Sequence, residues 1–370
     1  MSQAHRFDLP RSADPAVGGG ARDNPLYAAI DLGTNNCRLL IASPVGRSFR
    51  VVESFSRIVR LGEGLSRTGE LDPEAMSRAI AALKICADKV HRRKPHRIHA
   101  VATQACRSAR NGADFVEKVA EETGLRLQII SPQEEAQLSV AGCLTLLDRT
   151  EQVALVVDVG GGSTELSWLD LTDPRLDQAH RLKPDRLPIK AWRSIPVGVV
   201  TLAERFPEGA AGDRLWFRSM VEFVKSAVGE VEEANGLRAA FQSGRAHLVG
   251  TSGAITSLAG MHLNLPRYDR NQVDGLWLNR SDCEAAAERL LVQDAVERAT
   301  QPCIGPDRAD LVLAGAAILQ AVQELWPCER VRVADRGLRE GLLLALMQER
   351  QTRRRRRRHG GLPGDASDAA

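Results

Sequence analysis

Aromatic side chains make up only 4% of the 370 residues, too few for the stacking platform that single-stranded nucleic acid needs. The seven cysteines are odd in number and no two stand as C-x-x-C. That excludes a disulfide framework and a thiolate zinc site and leaves reduced, packed thiols. No apolar run approaches the roughly 20 residues of a membrane span. The N-terminus has no apolar signal segment, so a cytoplasmic protein without a membrane partner is expected. No histidine cluster has metal-ligand spacing. Net charge is also nearly missing: 50 Lys and Arg against 47 Asp and Glu leave +3. Residues 351–370 alone carry six Arg and two Asp, so the body of the chain is close to neutral. A neutral sum still allows one cleft to gather charge.

What is present is ordinary globular composition, 43% hydrophobic and 26% charged, in a chain long enough for two packed cores. Residues 1–25 lack periodicity and read as a disordered leader. Tyr27–Ile30 is a short apolar strand that ends in the polar turn Asp31-Leu32-Gly33-Thr34-Asn35-Asn36. Leu39–Ile41 resumes as a second strand. A strand follows the turn, where a Rossmann or Walker unit would place a helix. Asp72 as N-cap and Pro73 at the first helical position open a helix whose apolar residues Met76, Ile80, Leu83, Ala87 and Val90 keep helical spacing. Its basic end, His91 to Lys94, suits a helix C-terminus. A strand is expected at Ile98–Thr103, then a turn with Arg107, a helix through Phe115 and Val119 capped by Gly124, and a strand at Leu127–Ile130.

Ser131-Pro132-Gln133-Glu134 has the form of a capping box and opens a helix over about 132–147. The opening pattern then recurs. Val153–Val157 is a buried strand, Asp158-Val159-Gly160-Gly161-Gly162-Ser163-Thr164 a glycine turn, and Glu165–Leu169 a return strand. The two copies, about 127 residues apart, predict two related α/β halves with a cleft between them. The boundaries read as 26–148 and 149–350, with a hinge near 148–152. Further on, residues 175–193 read as an exposed loop or hairpin. Helices are expected near 213–236, 281–298, 307–324 and 338–350. His247–Ala254 is a strand entering a third turn, Gly250-Thr251-Ser252-Gly253, and Val331–Val333 another strand. The tail 351–370 has no apolar content and reads as disordered.

A glycine turn after a strand exposes successive backbone N–H groups, and such a nest binds anions, phosphate above all. Glycine lets the anion approach the backbone. An Asp at the strand end beside each of the first two turns can hold a divalent cation. Mg²⁺ suits that place, since carboxylates and phosphate oxygens ligate it together.

These turns resemble the phosphate motifs of the actin, sugar kinase and heat-shock chaperone superfamily. More narrowly, the chain resembles the exopolyphosphatase / guanosine pentaphosphate phosphatase (Ppx/GppA) family in its short form. Further segments carrying the likeness are Ala102-Thr103-Gln104-Ala105-Cys106-Arg107, Glu134-Glu135-Ala136, Arg308-Ala309-Asp310 and Asp335-Arg336-Gly337-Leu338-Arg339-Glu340-Gly341. The resemblance implies two ribonuclease-H-like (actin-like ATPase) α/β domains, with mixed sheets flanked by helices and the active-site cleft between them. It implies Glu135 as catalytic glutamate, with Glu134 taking the capping position, and Arg107 as the arginine on the transferred phosphate. Gly33, Thr34 and Asn35 would form one phosphate cradle, and Gly160, Gly161, Gly162, Ser163 and Thr164 the other. Asp158 and Glu165 would hold Mg²⁺ and position water, with Asp31 as the mirror-related carboxylate; Mn²⁺ is the alternative metal.

The implied activity is phosphoanhydride hydrolysis. An exopolyphosphatase acting on inorganic polyphosphate is the first expectation. A guanosine pentaphosphate phosphohydrolase of the stringent response is the alternative, and a non-catalytic sensor of these anions a further one. A sugar-kinase-like phosphotransferase would want an Asp base, and Glu135 with Arg107 argues against it. The family implies a homodimer. The run Arg353–Arg358 could contact RNA or polyphosphate unspecifically. The basic run His91–Arg97 reads as a solvated helix end, with a polyphosphate track as the other reading. The chain departs from the family at Asn36, where Ser or Thr is usual, at Thr201, where Arg is usual, and at Ala254, where Thr is usual.

Overall fold

A computed structural model describes residues 25–46 and 48–359. The first sheet is built on β1 (Tyr27–Leu32), which pairs antiparallel with β2 (Asn36–Val45) and parallel with β4 (Arg97–Ala102). β3 (Ser48–Ile58) extends the antiparallel side and the short β5 (Gln128–Ile129) the parallel side. The second sheet repeats this plan. β6 (Val153–Val159) pairs antiparallel with β7 (Thr164–Asp170) and parallel with β9 (Ala246–Thr251). β8 (Ile189–Ile195) lies outside β7, and β11 (Arg330–Ala334) lies outside β9. β10 (Trp277–Asn279) adds an antiparallel edge. The orders β3-β2-β1-β4-β5 and β8-β7-β6-β9-β11 match strand for strand, so the repeat seen in the sequence is a repeat of topology.

Successive strand residues point to opposite faces, and both faces of each sheet are covered. In the first sheet Ala28, Ile30 and Leu32 face the helices Pro73–Arg93 and Gly112–Thr123. Tyr27 and Ala29 face the other way, against Leu138 and the last helix, Leu338–His359. In the second sheet Val153, Leu155 and Val157 share a core with several helices, among them Arg214–Val228 and Val312–Leu325. Ala154 and Val156 face the helix Pro132–Cys143. The helices Pro132–Cys143 and Leu338–His359 therefore lie between the sheets and pack on each other. Their contact is close enough that a Cβ on Gly142 would overlap the carbonyl of Gly337, and one on Gly341 the carbonyl of Leu138.

Most expected elements are present. Asp72 caps the helix Pro73–Arg93, accepting from Glu74 N at 2.9 Å and Ala75 N at 3.0 Å. Gly124 ends the helix Gly112–Thr123 in the left-handed region, at φ 71°. All seven cysteines are free and buried. Several boundaries are corrected. The helix expected over 213–236 ends at Val228, where Gly229 takes φ 60°. The region 281–298 is two helices, Arg280–Leu291 and Ala295–Ala299, because Asp294 caps a new start. The helix expected from 307 begins at Val312.

The larger correction concerns the C-terminal region. The last helix does not stop near 350 but runs to His359, since arginine is a good helix former even without an apolar face. Nor does its start stay with the second half: Leu342, Leu343, Leu346 and Met347 bury against the first sheet. Each fully buried leucine there is worth about 1.5–3 kcal/mol. The side chains of the Arg353–Arg358 run, residues 1–24 and residues 360–370 lie outside the described residues. No helix among the described residues is long and apolar enough to cross a membrane.

Candidate active site

The two glycine turns are the same backbone device. In the first, Gly33 N donates to Asn36 O at 2.9 Å; in the second, Gly160 N donates to Ser163 O at 2.9 Å. Their carbonyls are tied from behind. Val59 N and Gly62 N donate to the carbonyls of Asn35 and Thr34, and Val199 N and Val200 N to those of Gly160 and Gly161. The amides of Thr34, Asn35, Gly161 and Gly162 donate to no group among the described residues. They are the nest donors the sequence called for.

The hairpins face each other across a cleft. A Cβ placed on Gly161 would stand 3.0 Å from Asn35 N and 3.0 Å from Thr34 Cβ. On Gly162 it would overlap Gln104 Oε1 and stand 2.7 Å from Thr34 Oγ1. Gly33 is different: the nearest atoms are ordinary contacts at 3.6 and 3.9 Å. Gly198 backs the second hairpin so tightly that a Cβ there would overlap Gly161 and Gly162.

The helix Pro132–Cys143 aims its first turns into this cleft. Ser131 Oγ accepts from Glu134 N at 3.2 Å, which is half of the expected capping box, and Glu134 is half-buried. Glu135 is buried and lines the cleft. Arg107 Nη1 donates to Glu135 Oε2 at 3.1 Å and to Ile130 O at 2.8 Å. Four residues on, along the same helix face, the Ser139 hydroxyl donates to Asp158. One helix thus presents a carboxylate to the first half and a hydroxyl to the second.

Burial of this acidic group sets its protonation. Desolvation pushes Glu135 up to about 7, against the pull of Arg107. Asp158 is pushed up to about 6 by burial, opposed by the Ser139 bond. Glu165 is driven well above the usual carboxylate range by burial and by the nearby Glu135 and Asp158 charges. Asp31 is also raised by burial, while Arg38 and Arg339 lower it.

The cleft encloses about 410 Å³. Of the residues expected there, Asp31, Gly33, Thr34, Asn35, Glu135, Asp158, Gly160, Gly161, Gly162 and Ser163 line it. Arg107 reaches it through Glu135. Thr164 and Glu165 stand behind: Thr164 Oγ1 donates to Val197 O at 2.7 Å and Ser194 Oγ donates to Glu165 Oε1 at 2.8 Å. The third turn, Thr251 to Gly253, lines it too, with Thr251 beside Asp158 in the parallel pair β6 and β9. The basic run His91–Arg97 does not line it, and Arg93 there pairs with Glu53. Sequence reasoning missed Gln104, Ser139, Arg38 and Arg339 as site residues. Gln104 accepts the Thr34 hydroxyl at 3.0 Å. Position supplied the missing signals: Ser139 lies four residues after Glu135, and Arg38 takes in the first copy the place Glu165 takes in the second.

No group of three or more His, Cys, Asp or Glu side chains forms a metal cage among the described residues. The donors present are carboxylates and the buried, unpartnered amide oxygens of Asn35 and Asn36. This hard oxygen set fits Mg²⁺, which takes one or two carboxylates, substrate phosphate and water, and does not fit zinc.

Two equivalent α/β halves that meet at paired glycine hairpins form an actin-like ATPase fold, here with the hairpins beside a buried glutamate. Residues 40–350 match the Ppx/GppA phosphatase family, and the chain belongs to that family. It is 27% identical over 340 residues to a Haemophilus influenzae protein named as an exopolyphosphatase, covering 91% of this chain and 95% of that protein. It is 27% identical over 329 residues to a guanosine-5'-triphosphate,3'-diphosphate pyrophosphatase of Vibrio parahaemolyticus, covering 89% of this chain but 61% of that one. The crystal structure of the Aquifex aeolicus family member superposes with a TM-score of 0.69 at 26% identity, over 88% of this chain and 98% of that chain. An exopolyphosphatase structure from Cytophaga hutchinsonii shares the fold, with a TM-score of 0.74 at 22% identity over 88% and 98% of the two chains.

Proposed function

We propose that the chain is an exopolyphosphatase, releasing terminal phosphate from inorganic polyphosphate. The observation that carries this is Glu135: a buried carboxylate, raised to about 7, held by Arg107 and facing the free amides of two phosphate cradles. A general base works best when its pKa is near the operating pH. Glu135 takes a proton from a water molecule as that water's oxygen bonds to the terminal phosphorus and the bridging P–O bond breaks. The Thr34, Asn35, Gly161 and Gly162 amides hold the phosphoryl oxygens as charge builds on them. Arg107 keeps the Glu135 carboxylate oriented and supplies positive charge beside the transferred group.

Mg²⁺, or Mn²⁺ in its place, would be held by Asp158 with Glu165 behind it and Asp31 on the facing hairpin. When bound it would neutralise phosphate charge and relieve the crowded carboxylates. The near end-to-end match to a relative named as an exopolyphosphatase supports polyphosphate as substrate. Conversion of guanosine pentaphosphate is the second reading. Tyr268, Ile304 and Leu311, which also line the cleft, favour it, since they offer an apolar seat for a base.

The test is phosphate release by the purified protein with Mg²⁺, comparing long-chain polyphosphate with guanosine pentaphosphate, beside Glu135→Gln. Faster release from polyphosphate, with kcat lowered about 10²- to 10⁴-fold in the variant, is the expected result. Preference for the nucleotide moves the protein to the second reading with the same site. Binding without release from either substrate leaves the sensor reading.

A further inference from the structure

Several largely buried arginines among the described residues are held by the protein itself. Arg298 donates to the carbonyls of Ala309 at 2.9 Å and Gln293 at 2.6 Å and pairs with Glu208. Arg336 pairs with Asp274 and donates to Thr145 Oγ1 at 3.0 Å. Arg107 has Glu135 and Ile130. Arg339, which lines the cleft, is not held in this way. Only 14% of its side chain is exposed, and its nearest carboxylate oxygen, Glu340 Oε1, is 3.9 Å away, beyond hydrogen-bond reach. Glu340 is already committed: it accepts from Gly337 N at 2.9 Å and from Arg270 Nη2 at 3.2 Å. Arg339 makes no side-chain hydrogen bond among the described residues.

A guanidinium brings five N–H donors, and leaving them unpaired away from water is costly. Arg339 lines the cleft. It stands in the first turn of the last helix, directly after the turn Asp335–Gly337 that leaves the second sheet. Its charged neighbours there are Asp31 and Arg38, besides Glu340 and Asp335. Arg38 and Arg339 both lie near the buried Asp31, while Asp335 and Glu340 are paired with Arg270. Packing does not require a guanidinium at this place, because Leu338, Leu342 and Leu343 already anchor the turn.

We propose that Arg339 is a phosphate-binding residue of the cleft, its planar fork taking an oxygen of a phosphate that the two glycine hairpins do not hold. The inference rests on the cleft accepting a phosphate anion and not on that anion being hydrolysed. Arginine suits the task because its paired donors match two phosphate oxygens at once.

The experiment titrates inorganic tripolyphosphate, with Mg²⁺, calorimetrically into full-length Glu135→Gln protein with and without Arg339→Met. Melting temperatures without ligand are recorded alongside. Affinity is expected to fall about 10- to 100-fold, the loss of one charge-assisted contact. The ligand-free melting temperature is expected to hold or rise, because an unpaired buried charge is gone. Unchanged affinity overturns the proposal, as does a weaker affinity that merely follows a lowered melting temperature. If the Met variant does not fold, Arg339→Gln replaces it: weakened binding supports the proposal and equal binding overturns it. No tripolyphosphate binding by the parent protein overturns it together with the phosphate reading of the cleft. Weakened variant binding alongside a wild type that releases no phosphate leaves this inference standing while the hydrolase reading falls.

Discussion

Across the first hairpin the residue facing Asp31 is Arg38; across the second, the residue facing Asp158 is Glu165. The backbone is repeated, down to the 2.9 Å bond that closes each turn, yet the charge at one equivalent position is reversed. Asp31 is raised by burial, and Arg38 and Arg339 partly offset that rise. Asp158 lies beside a second carboxylate, and burial with that neighbour drives Glu165 well up. The first copy sets an arginine opposite its aspartate and the second a glutamate, so one side chain reverses the local charge of a duplicated unit. On this comparison Asp158 and Glu165 are the stronger metal candidates, with Asp31 acting mainly as the counter-charge to two arginines.

The largest effect that would break the comparison is steric. Gly162→Ala pushes a Cβ into Gln104 and Thr34, whereas Gly33→Ala meets nothing closer than 3.6 Å. A displacement of about 1 Å at a reacting centre costs on the order of 10²-fold. Gly162→Ala is expected to lose about that much in kcat/KM and Gly33→Ala less than about tenfold, both read by phosphate release. Equal losses would mean the hairpins are equally confined.

Next comes the response to pH and cation. In the folded protein Glu135 titrates near 7 and Asp158 near 6, against ordinary values of 4.5 and 3.8. The fold thus holds protons that the unfolded chain has released. The stability this gives is complete below the ordinary values and is lost as pH rises through about 6 to 7. Mg²⁺ is expected to raise the melting temperature more at pH 8 than at pH 5. Glu165→Gln is expected to raise the metal-free melting temperature at pH 8, because the amide leaves no charge to be buried beside other carboxylates. It should also raise the Mg²⁺ needed for half-maximal activity about 10- to 100-fold. An unchanged Mg²⁺ requirement in that variant would remove Glu165 from the cation site.

The smallest effect sharpens the contrast between the site and its rim. Arg60 of the first half pairs with Asp310 of the second at 2.9 Å, with side chains 33% and 46% exposed. Water screens such a pair. Arg60→Ala is expected to change stability by less than about 0.5 kcal/mol in denaturant unfolding.

Much of this was legible in the residues because local chemistry and topology agree. The apolar run Tyr27–Ile30, its polar turn and its copy at Val153–Thr164 announced the two sheets. Pro132 and the Ser131 cap placed Glu135 at the head of a helix. β3 went unread because it is an edge strand whose side chains are largely exposed, which weakens the alternation that marks a strand. The return of the last helix to the first sheet was unreadable for another reason. Leu342, Leu343 and Leu346 show that an apolar face exists, but nothing local says which sheet will cover it. The reversal from Arg38 to Glu165 is visible once the two copies are laid side by side. Its meaning needed the register, which sets each opposite its aspartate.

The chain passes between the sheets twice, once through the helix Pro132–Cys143 and once through the turn Asp335–Gly337. The passages touch: Gly142 lies against Gly337, and Cys143 Sγ donates to Arg336 O at 3.4 Å. A body joined to another by one flexible thread can swing and twist in every direction. Two threads pinned side by side remove most of those degrees of freedom and leave rotation about the line through both pins. Any relative movement of the halves is thereby confined to rotation about that line, the arrangement least disturbing to the register in which the hairpins face each other.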